Sequence, residues 1–218
     1  ALVILVALVL SLPMAYGMSS LEVGFDTVDQ FDDSLEVVQD FLMIAEEFQS
    51  SPTPLYVVLE GNILSDEGVL AYNIAIETLS NTEGVTGVPT GLWDTLESER
   101  GRNSVLDNLL SNLTTSEGFD QLEAYLLENS SGRDLVDLLL YTDGQQTIIS
   151  FQANTLDWQA TVDFEEALSE SLEDASSSVE GTFSMELSGR ALILAQISAD
   201  VAISAITSTA IVAFTILF

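Results

Sequence analysis

The spacing of apolar positions changes along the chain, and each change marks an element. Between residues 32 and 49, Leu35, Val38, Leu42, Ala45 and Phe48 recur at steps of three and four, which predicts a helix that Ser50-Ser51-Pro52 stops. Residues 54–60 (PLYVVLE) form a short β-branched run and read as a buried strand ended by Gly61-Asn62. Ser65 then supplies a capping hydroxyl, with Asp66 and Glu67 in the first turn of a helix running to about residue 79. Residues 84–88 read as the next strand. The same order returns later. Residues 146–153 (QTIISFQA) predict a strand and residues 156–175 an amphipathic helix. That helix collects Trp158, Val162, Phe164, Leu168 and Leu172 on one face and Asp163, Glu166, Glu170, Glu173 and Asp174 on the other. Residues 182–187 (TFSMEL) predict its closing strand.

Two βαβ units are the ingredients of an α+β fold, a ferredoxin-like split βαβ sandwich with both helices on one face of a four-stranded sheet. The units span residues 54–88 and 146–187. Between them, residues 89–144 form an insertion of helical pattern, at 105–113, 119–127 and 135–141, expected to pack as a separate lobe. The last of these carries Leu135, Val136, Leu138, Leu139 and Leu140, too apolar to stand exposed on both sides. Either the sheet or another copy of the domain, as in a homo-oligomer, is expected to cover it.

The ends are of a different kind. Residues 1–21 and 201–218 carry no charge, whereas every acidic residue except Asp200, and all four arginines, lie between Glu22 and Arg190. The apolar run at 1–12 is expected to be the outer end of a transmembrane helix within residues 1–18, with the apolar region of a signal peptide as the alternative. Residues 191–218 are expected to hold an amphipathic lead-in and the start of a second span. Residues 19–190 then form a loop domain on one side of a membrane. Arg190 is the sole basic residue near either end, so the domain is expected to be extracytoplasmic. The triplets beginning at Asn112 and Asn129 match the glycosylation pattern, which also arises by chance.

Composition narrows the chemistry. The 218 residues hold 35 acidic residues, four arginines and no lysine, histidine or cysteine, for a formal charge of −31. Nucleic acid is a poor partner for such a chain, because binding it requires cations to neutralise phosphates. Without histidine or cysteine there is no Ser-His or Cys-His machinery, no disulfide and no zinc cluster. The absence of lysine points to a surface adapted to very high salt, as in a halophilic archaeon, where screening shortens to about 3 Å and carboxylates can crowd. Asp26, Asp29, Asp32 and Asp33 do not have calcium-loop spacing. The doublets Asp32-Asp33, Glu46-Glu47 and Glu165-Glu166 diverge by about 100° on a helix, which suits solvated faces better than a glycosidase pair. No catalytic residue, metal or cofactor is assigned, and the chain is read as a non-enzyme.

The order of parts resembles the extracytoplasmic porter domain of resistance, nodulation and division (RND) transporters, in their MMPL-like branch. The resemblance rests on Glu46-Glu47-Phe48 closing the first helix, the strand and turn from Pro54 to Gly61, Thr142-Asp143-Gly144 with Thr147 before the third strand, and Ser188-Gly189 with Asp200 after the fourth. It implies one loop of a multispanning exporter that shapes the path of a hydrophobic or amphipathic, lipid-like substrate, working with the remaining spans and a second such loop. Gly189 and Asp200 would mark the membrane junction, and Leu92, Trp93, Leu135 and Leu139 would border a substrate cleft. Trp93 reads equally as a packing anchor, and Arg100, Arg102 and Arg133 read either as anion binders or as partners of nearby carboxylates. An anchored surface module and the protein-translocation branch of the superfamily are the alternatives.

Overall fold

The computed structural model describes residues 35–40, 43, 54–129, 132–133, 136–137, 139–141, 144–155 and 158–217. The N-terminal apolar run, most of the helix expected at 32–49, Leu135 and Asp143 lie outside the described residues. Residues 36–40 are helical, and Val38 is buried.

One antiparallel sheet organises the chain. Strand β1 (Leu55–Glu60) lies between β4 (Gln146–Ala153) and β5 (Ser184–Ser188), and β2 (Val85–Gly91) pairs with the far side of β4, giving the order β2-β4-β1-β5. The two βαβ units are therefore interleaved, each connection passing over the strand of the other unit. Alternation sets which face is covered. Leu55, Val57 and Leu59 on β1 and Thr147, Ile149, Phe151 and Ala153 on β4 point inward and are buried, while Tyr56, Val58, Glu60, Ile148 and Ser150 occupy the other face, half-buried.

Helices α1 (Asp66–Asn81) and α5 (Trp158–Ser177) lie side by side on the inward face. Ala71, Tyr72, Ala75 and Leu79 from α1 and Leu168 and Leu172 from α5 meet the sheet there. The five acids expected on the outer face of α5 are exposed. Ser65 caps α1 as its sequence predicts, its Oγ accepting from the Gly68 N–H at 3.0 Å.

Several expectations change. The second strand does not end at residue 88 but continues to Gly91, because Gly87-Val88-Pro89 bulges out between the Val85–Thr86 and Thr90–Gly91 pairings with β4. A bulge containing proline suits an edge strand, which needs fewer paired amides. The insertion forms α2 (Leu92–Arg100), α3 (Ser104–Ser111) and α4 (Ser116–Glu128), but not a separate lobe. Leu92, Leu96, Leu106, Leu122, Leu126 and Val136 belong to the same core as the sheet, since a layer of three short helices cannot bury both faces by itself. Leu140 and Tyr141, expected in a helix, form strand β3 against Thr147 and Gln146. Short apolar runs suit helix and strand equally, and here the Thr147 Oγ1 donates to the Leu139 carbonyl at 2.6 Å and fixes the chain beside β4. Residues 190–217, where an amphipathic lead-in and the start of a span are expected, form one unbroken helix, α6 (Arg190–Leu217).

Candidate functional site

Two places stand apart from ordinary packing. The first is the passage from β5 into α6. Gly189 alone joins them, at φ +157°, and its carbonyl accepts from the Ile193 N–H at 3.2 Å. A side chain there would meet Leu55 Cδ2 at 2.6 Å, and Leu55 is fully buried. The close approach and the backbone angle both require glycine. The first turns of α6 then lie on α5, burying Leu192, Ala195 and Ser198. Gln196 Nε2 donates to Glu165 Oε1 at 2.6 Å. Partial burial of the Glu165 carboxyl raises its pKa, and the Gln196 hydrogen bond opposes that only in part.

Asp200 is exposed and is the last charged residue, and every described side chain beyond it is exposed. Beyond it Val201, Ile203, Ile206, Ile211 and Val212 are 44 to 62 % exposed. At 1.5 Å per residue the 28 residues of α6 extend about 42 Å. Among the described residues it is the one helix long and apolar enough, by length and composition, to cross a membrane, with a mean hydropathy of 1.6 over Arg190–Ser208.

The second place is a cleft of about 280 Å³ between α1 and α2–α3. Helix α1 contributes Val69, Tyr72, Asn73 and Ile76, which its 3.6-residue repeat puts on one side. From α2 come Trp93, Asp94 and Glu97, with Leu110 and Leu113 closing the apolar wall. The Tyr72 hydroxyl donates to Asp94 Oδ2 at 2.5 Å, and the Gly91 N–H donates to the same oxygen at 3.1 Å. Burial, together with the Asp94 carboxylate, pushes the Tyr72 hydroxyl well above its ordinary pKa, so it remains protonated. Asp94 Oδ1 accepts no hydrogen bond among the described residues. Glu97 is held by Arg100 at 3.1 Å. Trp93 Nε1 is buried without a partner among the described residues.

The expected cleft residues thus separate. Trp93 lines the cleft, whereas Leu92 is fully buried in the core and cannot border a path for substrate, because the helix turn sends adjacent side chains in different directions. Leu139 is half-buried against the core and its carbonyl is taken by Thr147. Tyr72 and Asp94 were not readable as a pair: 22 residues apart, they meet only because β2 returns α2 to the side of α1. Arg100 spans Glu97 and Asp107, the latter at 2.6 Å, and Arg102 pairs with Glu99 at 2.8 Å, whereas the Arg133 Nε donates to the Leu127 carbonyl at 2.7 Å. Asn112 and Asn129 are exposed at the C-terminal ends of α3 and α4, and Asn112 Nδ2 donates to the Asn108 carbonyl at 2.9 Å. Among the described residues no group of three acidic side chains converges to hold a metal ion.

These features define an α+β protein with an antiparallel sheet, a helical layer on one face and one long apolar helix leaving it. Comparison with protein-family models and with curated proteins finds no match for this chain.

Proposed function

We propose that this chain is the extracytoplasmic domain of a multispanning exporter of the RND superfamily, in its MMPL-like branch, with the architecture of a ferredoxin-like split βαβ sandwich. The interleaved order β2-β4-β1-β5 is the order such a sandwich needs, and the helical insertion follows its second strand. The observation that carries the reading is the continuity at Gly189: the sheet passes without a linker into a helix whose first turns are packed and whose last seventeen residues are apolar or hydroxylic. An uncovered helix of this composition belongs in hydrocarbon, where its backbone is internally satisfied. The direct joint couples movement of the span to movement of the sheet, and the domain shapes the route of a hydrophobic or amphipathic substrate with no covalent step of its own. Its partners are the lipid bilayer and the other spans and second loop of the parent chain, at the cell membrane.

Single-cysteine variants of the full-length parent test this in intact cells. Glu117→Cys, at an exposed position of α4, is expected to react with a membrane-impermeant maleimide, and Ile206→Cys to react only after the membrane is dissolved. Equal reaction of both before dissolution would overturn the membrane reading. Loss of the parent gene is expected to raise cellular retention of hydrophobic compounds. Unchanged retention, or a parent with only two spans, would reduce the chain to an anchored surface module.

A further inference from the structure

The cleft between α1 and α2–α3 has a chemistry that the exporter reading does not specify. Its walls are apolar through Val69, Ile76, Leu110 and Leu113, it contains one indole and two carboxylates, and none of the residues lining it is basic. Glu97 already has Arg100 as counterion. Asp94 is exposed, and its donors among the described residues, Tyr72 and Gly91, are neutral and both reach Oδ2, so that Oδ1 is accessible to solvent or to a ligand. A charge-assisted hydrogen bond from an ammonium group would take the place of water on Oδ1, and the Trp93 ring offers apolar surface to the rest of such a ligand.

We propose that this cleft binds a small primary ammonium ion with an apolar body, its nitrogen on Asp94 Oδ1 and its hydrocarbon against Trp93, Val69 and Leu110. At about 280 Å³ the space is slightly below that of a drug-sized site, which limits the ligand to a small one. An anion is disfavoured by both carboxylates, and the hydroxyl of a neutral molecule gives Asp94 Oδ1 a weaker hydrogen bond than an ammonium ion does. The inference stands on the cleft itself and holds whether or not the chain serves an exporter.

The test is a calorimetric titration of the full chain in lipid nanodiscs with phenethylammonium, 2-phenylethanol and phenylacetate. Molar KCl screens general attraction to a chain of charge −31, so only contact binding is read. Phenethylammonium is expected to bind saturably at one site, roughly tenfold or more tightly than either analogue. Asp94→Asn keeps an acceptor for Tyr72 and Gly91 but removes the charge, and is expected to weaken binding by a similar factor. Val69→Phe fills the cleft and is expected to abolish binding, with Asn73→Trp at the exposed rim as the alternative obstruction if Val69→Phe does not fold. No saturable heat, equal binding of phenylacetate, or affinity unchanged by both Asp94→Asn and the obstructing substitution would overturn the proposal.

Discussion

Tyr72 is almost wholly enclosed, and its hydroxyl is the link by which α1 holds the start of α2 through Asp94. Gly91 lies beneath the same link, where a side chain would approach the Tyr72 hydroxyl to 2.6 Å and the Ile148 carbonyl to 2.7 Å. Replacing Tyr72 by Phe leaves the ring in place and removes one charge-assisted bond. A loss of about 1 to 2 kcal/mol is expected, read as a lower thermal midpoint in molar KCl. An unchanged midpoint would show that water replaces the hydroxyl at Asp94 without loss. Gly91→Ala is expected to lower the midpoint further than Tyr72→Phe, because it strikes backbone that cannot move aside without disturbing the β2–β4 ladder.

At the scale of elements, the contact between α5 and α6 connects the folded domain to the apolar helix. Its polar clasp is Glu165 with Gln196. Glu165 has a raised pKa in the folded state, chiefly from desolvation, so the folded protein binds this proton more tightly than the unfolded chain. The stabilising effect of the proton is fully present below the unfolded glutamate pKa and is lost as pH rises through the folded one. At neutral pH the carboxylate therefore opposes the packing. Glu165→Gln, which retains a carbonyl acceptor for Gln196, is expected to raise the thermal midpoint at pH 7 and to lose that advantage as pH falls through the acidic range. A glutamine variant less stable than the parent at pH 7 would show that the charged hydrogen bond outweighs desolvation.

For the whole molecule, charge dominates. Three ion pairs are formed among the described residues, all by Arg100 and Arg102 near α2, which leaves the acidic face of α5 without a cationic counterpart. Repulsion of this extent competes with a net stability that is only several kcal/mol in ordinary domains. Transfer of the full chain in nanodiscs from dilute buffer to molar KCl is expected to raise its unfolding midpoint by about 10 °C or more, corresponding to about 3 to 5 kcal/mol for a domain of this size. Circular dichroism is the measurement. Equal, cooperative melting in both solutions would remove the interpretation of the acidity as an adaptation to salt.

Much of this architecture is local in origin and could be read from residue order. The strands at residues 55–60 and 146–153, the cap at Ser65 and the single apolar face of residues 158–177 each follow from neighbours within a few positions. The uncharged run beyond Asp200 is also a property of a short segment, whereas the need for glycine at 189 comes partly from the distant Leu55. Tertiary structure decided what depends on distant neighbours. Residues 140–141 became a strand because Thr147 lay beside them, and Leu92 went to the core while Trp93 turned to the cleft because β2 ran three residues further than its pattern suggested. The cleft itself required α1 and α2 to be brought together across the sheet. Apolar periodicity states which side of an element is buried, but it contains no term for the partner that buries it, and a binding site is made of such partners.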